Sequence, residues 1–422
     1  MKIAAASGGG IMPVNLIRNW ANWTGEPIPT LPHWPVDREK ILHRIERLTF
    51  SSDAELRTNF FPRKSMWEAV QLLKMKQLWL GGDESDWLSH SDIIGQHLDL
   101  LAQAGIRGAR LVIAPFEVTK DGQNFDWSPI DTALQMFEER DLIASLSVGP
   151  IKFPFGPDGA RLPVYLQDKL KTEVAETGAT DINITLEMDE NLPDSSQAIR
   201  DFALKYLTEL MVKYADDPRI DRLYLDNEWP DANSIEGVPG ITISVGQDVL
   251  RTAIDYLLEA TDKPIALNTN IPPFRLAEIQ KKLGPLLTKL GKRGVLGLDP
   301  YPTREVQDPE HAREMLSYGG HVQRIREVFP DTEIIFTEYQ AEPWPPDGVQ
   351  GKPWAEIMRY HLEVMVRFYQ VDFPRALEPY MIGSGIREVG LYGAPLWPIA
   401  AELGYPFPLE MLKKIADTME KA

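Results

Sequence analysis

The 422-residue chain contains no cysteine. Disulfides and thiolate metal sites are therefore excluded, and the core must hold by packing alone. A chain of this length can bury enough apolar surface to do so. Histidine is scarce, with seven residues and no His-x-His pair, which argues against zinc. No Gly-x-Ser-x-Gly elbow, P-loop or glycine-rich dinucleotide fingerprint is present. No run approaches the roughly 18 apolar residues that span a bilayer. The opening segment MKIAAASGGGIMPVN lacks the dense apolar core of a signal peptide, so a cytoplasmic location is expected. Positive charge is also in deficit. Lys and Arg number 44 against 62 Asp and Glu, a formal net charge of −18, and an acidic surface disfavours nucleic acid and anionic membranes as partners.

What is present is a rhythm. From about residue 76, short β-rich apolar runs alternate with amphipathic helical patterns. The runs are KQLWLGGD, GARLVIAPF, DLIASLSVG, DRLYLDNEW, KPIALNTN, GVLGLDPYP, TEIIFTEYQ and REVGLYGAPLW. Between them lie patterns such as SDIIGQHLDLLAQAG, SPIDTALQMFEERD, QAIRDFALKYLTELMVKYADD and VLRTAIDYLLEATD. Strands alternating with helices imply parallel pairing through βαβ crossovers. Eight such units predict an α/β fold, a (β/α)₈ TIM barrel, over residues 76–422. Residues 1–75 lack the rhythm and are expected to form an N-terminal extension packed on the barrel. Insertions near residues 153–195 and after the seventh run extend the βα loops, on the face where barrels build active sites.

The unusual polar residues fall at the C-terminal ends of these runs. The fourth ends in Asp226-Asn227-Glu228-Trp229 and the seventh in Thr337-Glu338-Tyr339. A carboxylate that ends a buried strand is costly unless it is paired or functional. Two carboxylates on different strand tips of one barrel can face each other across its mouth. That is the pair a glycosidase needs, one as acid/base and one as nucleophile. Strict alternation would put Asn227 and Glu228 on opposite faces, so both serve one site only if the strand bends at its tip. Glu342, further into the loop, is a rival nucleophile. Asp83, Glu117, Asp226, Asp299 and Glu338 together leave an oxygen-ligated divalent metal as an alternative.

Residues 76–400 resemble the clan A glycoside hydrolases, barrels with an acid/base after strand 4 and a nucleophile after strand 7. Asn227-Glu228 is similar to that clan's Asn-Glu signature, and Glu338 matches its nucleophile position. The segment LLAQAGIRGARLVIAPFEVTKDGQNFDWSPIDTAL resembles the second-strand region of families 5, 39 and 42. The resemblance implies that Arg110 supports the nucleophile, that Tyr301 hydrogen-bonds it, and that Trp397 floors the sugar site. The chain departs from family 5 in having no His after the third strand and in carrying Asp299 where that family has a His.

The implied activity is retaining hydrolysis of β-glycosidic bonds in a carbohydrate substrate, with Glu338 as nucleophile, Glu228 as acid/base and no cofactor or metal. Arg110, Asn227, Tyr301, Trp344 and Trp397 are the expected substrate-side residues. Trp79, Trp87, Trp127, Trp229 and Trp354 also fall near predicted tips or loops, and an indole face suits the C–H face of a pyranose. Trp127 is expected only to open a helix. A non-catalytic carbohydrate-binding barrel and a transglycosylase using the same residues are the alternatives.

Overall fold

The computed structural model describes residues 91–111, 115–149, 162–177, 182–225, 227–230, 233–235, 238–300, 318–340, 384, 386, 388–392, 409–410 and 413. Seven strands form one parallel sheet. They are β1 (Gly108–Leu111), β2 (Ile143–Gly149), β4 (Ile220–Leu225), β7 (Ile265–Thr269), β8 (Gly294–Leu298), β9 (Glu333–Gln340) and β10 (Val389–Tyr392), in that spatial order. Each lies on one of the expected runs. The first expected run, residues 76–83, lies outside the described residues, as does the whole of residues 1–75.

Among the helices are α1 (Ser91–Gln103), α2 (Pro115–Val118), α3 (Ser128–Glu138), α4 (Val164–Thr177), α5 (Asp194–Tyr214) and α6 (Gln247–Ala260). They continue with α7 (Leu276–Lys282), α8 (Gly284–Leu290) and α9 (Tyr318–Val328). Their apolar stripes explain both formation and placement. In α6, Val249, Leu250, Ala253, Ile254 and Leu257 recur at helical spacing, and all are buried. Ile130, Ala133, Leu134 and Phe137 do the same in α3. Each fully buried Leu, Ile, Val or Phe contributes roughly 1.5–3 kcal/mol by leaving water. Gly105, at φ +102°, turns the chain from α1 toward β1 in a conformation that L side chains rarely adopt.

The sheet is curled into a barrel, and side-chain contacts across it demonstrate this. β1 and β9 stand five strand spacings apart, about 24 Å in a flat sheet. Yet Arg110 Nη2 on β1 lies 3.1 Å from Glu338 Oε1 on β9. At the other end of the interior, Arg222 of β4 makes a bidentate pair with Glu388, just before β10, at 2.7 and 3.0 Å. Two separate apolar layers result. The large one lies between sheet and helices. The small one, Tyr224, Ala266, Val295 and Ile335 from four successive strands, fills the interior. β7 and β8 are buried along their whole length, as parallel strands covered on both faces are.

The sequence pattern did not separate a second, three-stranded sheet. β3 (Ile182–Leu186) pairs parallel with β6 (Val238–Val245), which pairs antiparallel with β5 (Asn233–Ile235). β3 belongs to the connection after β2, and β5 and β6 to the connection after β4. This sheet is therefore built from βα loops on the side of the strands' C-terminal ends.

Gly297 on β8 is a point of close approach. A Cβ there would meet the Thr337 side chain at 2.5 Å and Asn268 Cβ at 2.9 Å. Gly297→Ala is expected to lower stability by about 1–3 kcal/mol through overpacking, read as a drop in denaturation midpoint with unchanged m-value.

Candidate active site

Five strands deliver polar side chains to one end of the barrel interior. Arg110 comes from β1, between the outward-packed Ala109 and Leu111. Asn227 and Glu228 follow β4. Asn268 lies near the end of β7, Asp299 directly follows β8, and Thr337 and Glu338 lie on β9. Arg110, Asn227, Asn268, Asp299, Thr337 and Glu338 are all buried.

Two departures from regular strand geometry bring the glutamates inward. Glu228 has φ +46°, a left-handed conformation that is uncommon for a residue with a side chain. The chain bends there, so Asn227 and Glu228 escape strict alternation, as the sequence requires if both serve one site. On β9, Phe336 pairs with Val389 and Tyr339 with Leu391. Three residues thus advance on β9 for two on β10, a β-bulge. Phe336 and Tyr339 pack outward, and the extra residue lets Thr337 and Glu338 both turn into the barrel.

The hydrogen bonds form a single network. Arg110 Nη2 donates to Glu338 Oε1 and to Asn227 Oδ1, each at 3.1 Å. Asn268 Nδ2 donates to Asn227 Oδ1 at 2.9 Å and to Asp299 Oδ2 at 3.0 Å. Asn268 Oδ1 accepts the backbone N–H of Glu228 at 3.2 Å. The Thr337 hydroxyl lies 2.5 Å from Asp299 Oδ1. Because guanidinium and backbone N–H only donate, the orientations of both amides are fixed chemically. Below the network, the Arg110 guanidinium lies 4.9 Å over the Tyr224 ring, a cation–π contact. Burial pushes the Tyr224 hydroxyl up to about 12, so it remains neutral.

One carboxylate oxygen from each of Glu228, Asp299 and Glu338 lies within 4.8 Å of the other two. Among the described residues, the Arg110 guanidinium binds one of these acids, Glu338. The Asp299 carboxyl is raised well above the usual carboxylate range. Burial is the largest cause, followed by the charges of Glu338 and Glu228, while Thr337 and Arg110 oppose it. The cluster has the donor set of a cation site, and Arg110 already binds one of its three carboxylates. A divalent ion there would meet the guanidinium that Glu338 binds, and both Asp299 oxygens already accept or share hydrogen bonds.

The structure thus brings together Arg110, Asn227, Glu228 and Glu338. Tyr301, Trp344 and Trp397 lie outside the described residues, as do Glu342, Asp83, Asp226, Trp79, Trp87 and Trp354; the side chain of Glu117 is likewise not described. Asn268 and Thr337 were not singled out in the sequence, and Asp299 was weighed there only as a metal ligand and a family departure. Their signal was a polar residue with inward parity in an otherwise apolar strand. Trp229 packs in the core. It is buried, and its Nε1 donates to Val245 O at 2.8 Å, so it anchors the Glu228 segment to β6 instead of offering a face to sugar. Trp127 precedes α3 and stacks on Phe125 at 5.3 Å, as expected of a helix-opening residue.

A scan of protein-family models finds no match, and no curated protein matches by sequence. Among solved structures, the chain is similar to an endo-1,4-β-mannanase from Rhizomucor miehei. The TM-score is 0.49 at 13% identity, over 79% of this chain and 91% of that one. It is also similar to a β-galactosidase from the psychrophilic Marinomonas ef1, with TM-score 0.47 at 12% identity over 77% of this chain and 57% of that one. A third similarity is to a β-galactosidase from the Antarctic haloarchaeon Halorubrum lacusprofundi, with TM-score 0.46 at 16% identity over 78% and 56%. The chain thus spans a little over half the length of these two galactosidases. Among the described residues no helix is long and apolar enough to cross a membrane.

The state of Asp299 has a consequence for stability. Its carboxyl keeps a proton to higher pH in the folded chain than in the unfolded chain, which releases it above about pH 4. Its contribution is fully present below that pH and is lost as pH rises through the higher folded value. Asp299→Asn removes this dependence. Chemical denaturation across pH is expected to show the variant gaining on the wild type as pH rises from acid toward neutral.

Proposed function

We propose that the chain is a retaining glycoside hydrolase acting on β-linked carbohydrate. The observation that carries the reading is that one carboxylate oxygen of Glu228 lies within 4.8 Å of one of Glu338, with Arg110 bound to Glu338. Retaining enzymes hold their two carboxyl groups about 5–5.5 Å apart, whereas inverting enzymes leave roughly 6.5–9.5 Å for a water.

In this reading a Glu338 oxygen attacks the anomeric carbon as the bond to the leaving oxygen breaks. Glu228 gives its proton to that oxygen. Glu228, now a carboxylate, takes a proton from water. The water oxygen attacks the anomeric carbon, and the glycosyl ester to Glu338 breaks. Arg110 supplies the countercharge to the attacking carboxylate. Both lone-pair directions of Asn227 Oδ1 are engaged by Arg110 and Asn268, so its N–H₂ is the end offered to a ligand, suited to a sugar 2-hydroxyl. Tyr301 and Trp397 are carried in the proposal on the family resemblance, and Trp344 on its place in the Pro/Gly-rich loop after Glu338. A sugar hydroxyl replacing water would give transglycosylation with the same residues.

A panel of aryl β-glycosides and β-glucans tests this. The wild type is expected to turn over at least one member, and Glu338→Gln and Glu228→Gln to lose roughly 10³-fold or more in kcat. Unimpaired turnover in Glu338→Gln would remove it as nucleophile. EDTA is expected to leave the rate unchanged, and inhibition reversed by Mg²⁺ or Mn²⁺ would favour metal chemistry at the same acids.

A further inference from the structure

We propose that Asp299 works as a neutral carboxylic acid, a positioning residue that ties β8 to β7 and β9 and so fixes Asn268, Asn227 and the Glu228 segment. The groups facing Asp299 are Glu228 from the segment after β4, Glu338 from β9 and Arg110 from β1. Among the described residues, neutral Asn268 and Thr337 also contact it. Two of these three carboxylates, Asp299 and Glu338, are buried, and Arg110 is already engaged by Glu338 at 3.1 Å. Like charges this close in a buried site are relieved by keeping a proton. Asp299 is the corner that takes no direct guanidinium bond among the described contacts, and burial raises it further.

The neighbours fit the neutral form. Asp299 Oδ2 faces the Asn268 N–H₂ group, which can only donate. Oδ1 faces the Thr337 hydroxyl at 2.5 Å, which can accept. The proton therefore belongs on Oδ1, donated to Thr337 Oγ1. The single Thr337 proton can then turn to the Leu298 carbonyl, the other acceptor beside it at 3.5 Å. With Oδ2 accepting from Asn268, the amide is held with its other N–H on Asn227 and its carbonyl on the Glu228 backbone N–H. Asp299 thereby reaches the acid/base segment through one side chain.

This inference rests on the glycosidase reading for its kinetic arm but not for its spectroscopic one. In the spectroscopic arm, infrared difference spectra of wild type against Asp299→Asn are recorded at neutral pH. A protonated-carboxyl stretching band present in wild type and absent from the variant is expected; its absence from wild type overturns the proposal. Asn keeps the shape, donates to Thr337 and accepts from Asn268, so this comparison does not depend on a drastic variant that fails to fold. In the kinetic arm, Asp299→Ala is expected to lose about 10²-fold in kcat/KM through misplacement of Glu228 and Asn227. Asp299→Asn should recover to within about fivefold of wild type. An Asn variant as impaired as Ala would mean that the charge of Asp299 is itself required, and would overturn the proposal. If the panel shows no glycosidase activity, the infrared result still decides the state of Asp299.

Discussion

The contact on which the site depends is the buried Arg110 guanidinium. It holds Glu338 and Asn227 through one nitrogen, joining strands that a flat sheet would keep far apart. A buried cation is tolerated only with partners that compensate its lost hydration. Here it has a carboxylate, an amide oxygen and the face of Tyr224. The same charge makes the opposing cluster of acids tenable. Removing one partner of a buried pair such as Arg110–Glu338 typically costs about 3–5 kcal/mol.

Around that contact, the barrel aims its two glutamates by breaking regular geometry locally. Glu228 adopts a left-handed backbone, a conformation that costs on the order of 1–3 kcal/mol at such sites. Glu338 is turned inward by the bulge opposite β10. Both devices need support from neighbours. The Glu228 backbone N–H is held by Asn268, and the adjacent Trp229 is pinned to β6. Gly297 leaves the room in which Asn268 and Thr337 meet Asp299. Strain, support and the missing Cβ are parts of one arrangement.

Much of this was legible in the sequence. The seven described barrel strands lie on runs marked by apolar content and spacing. Asn227, Glu228 and Glu338 stood out because a polar residue at the end of an apolar strand needs a reason, and Arg110 through the family resemblance. Even the bend at Glu228 followed from parity. The bulge did not, because register with β10 is a property of two distant segments. Asn268 and Thr337 were hidden because an amide or hydroxyl in a strand is common, and only the assembled barrel shows that they bridge the acids. Asp299 was visible, but its proton depends on two other carboxylates arriving from β4 and β9. The small sheet escaped because β3, β5 and β6 sit within long loops, and β3 pairs with β6 across some 60 residues.

The central claim is that Glu338 becomes covalently bonded to the sugar. Its most direct test is trapping with activated 2-deoxy-2-fluoro-β-glycosides, followed by digestion and peptide mass mapping. The account predicts a stoichiometric adduct on the Glu338 side chain, with steady-state inactivation relieved as the adduct turns over. An adduct on Glu342, or turnover of the same glycosides with inversion at the anomeric carbon and no adduct, would contradict it.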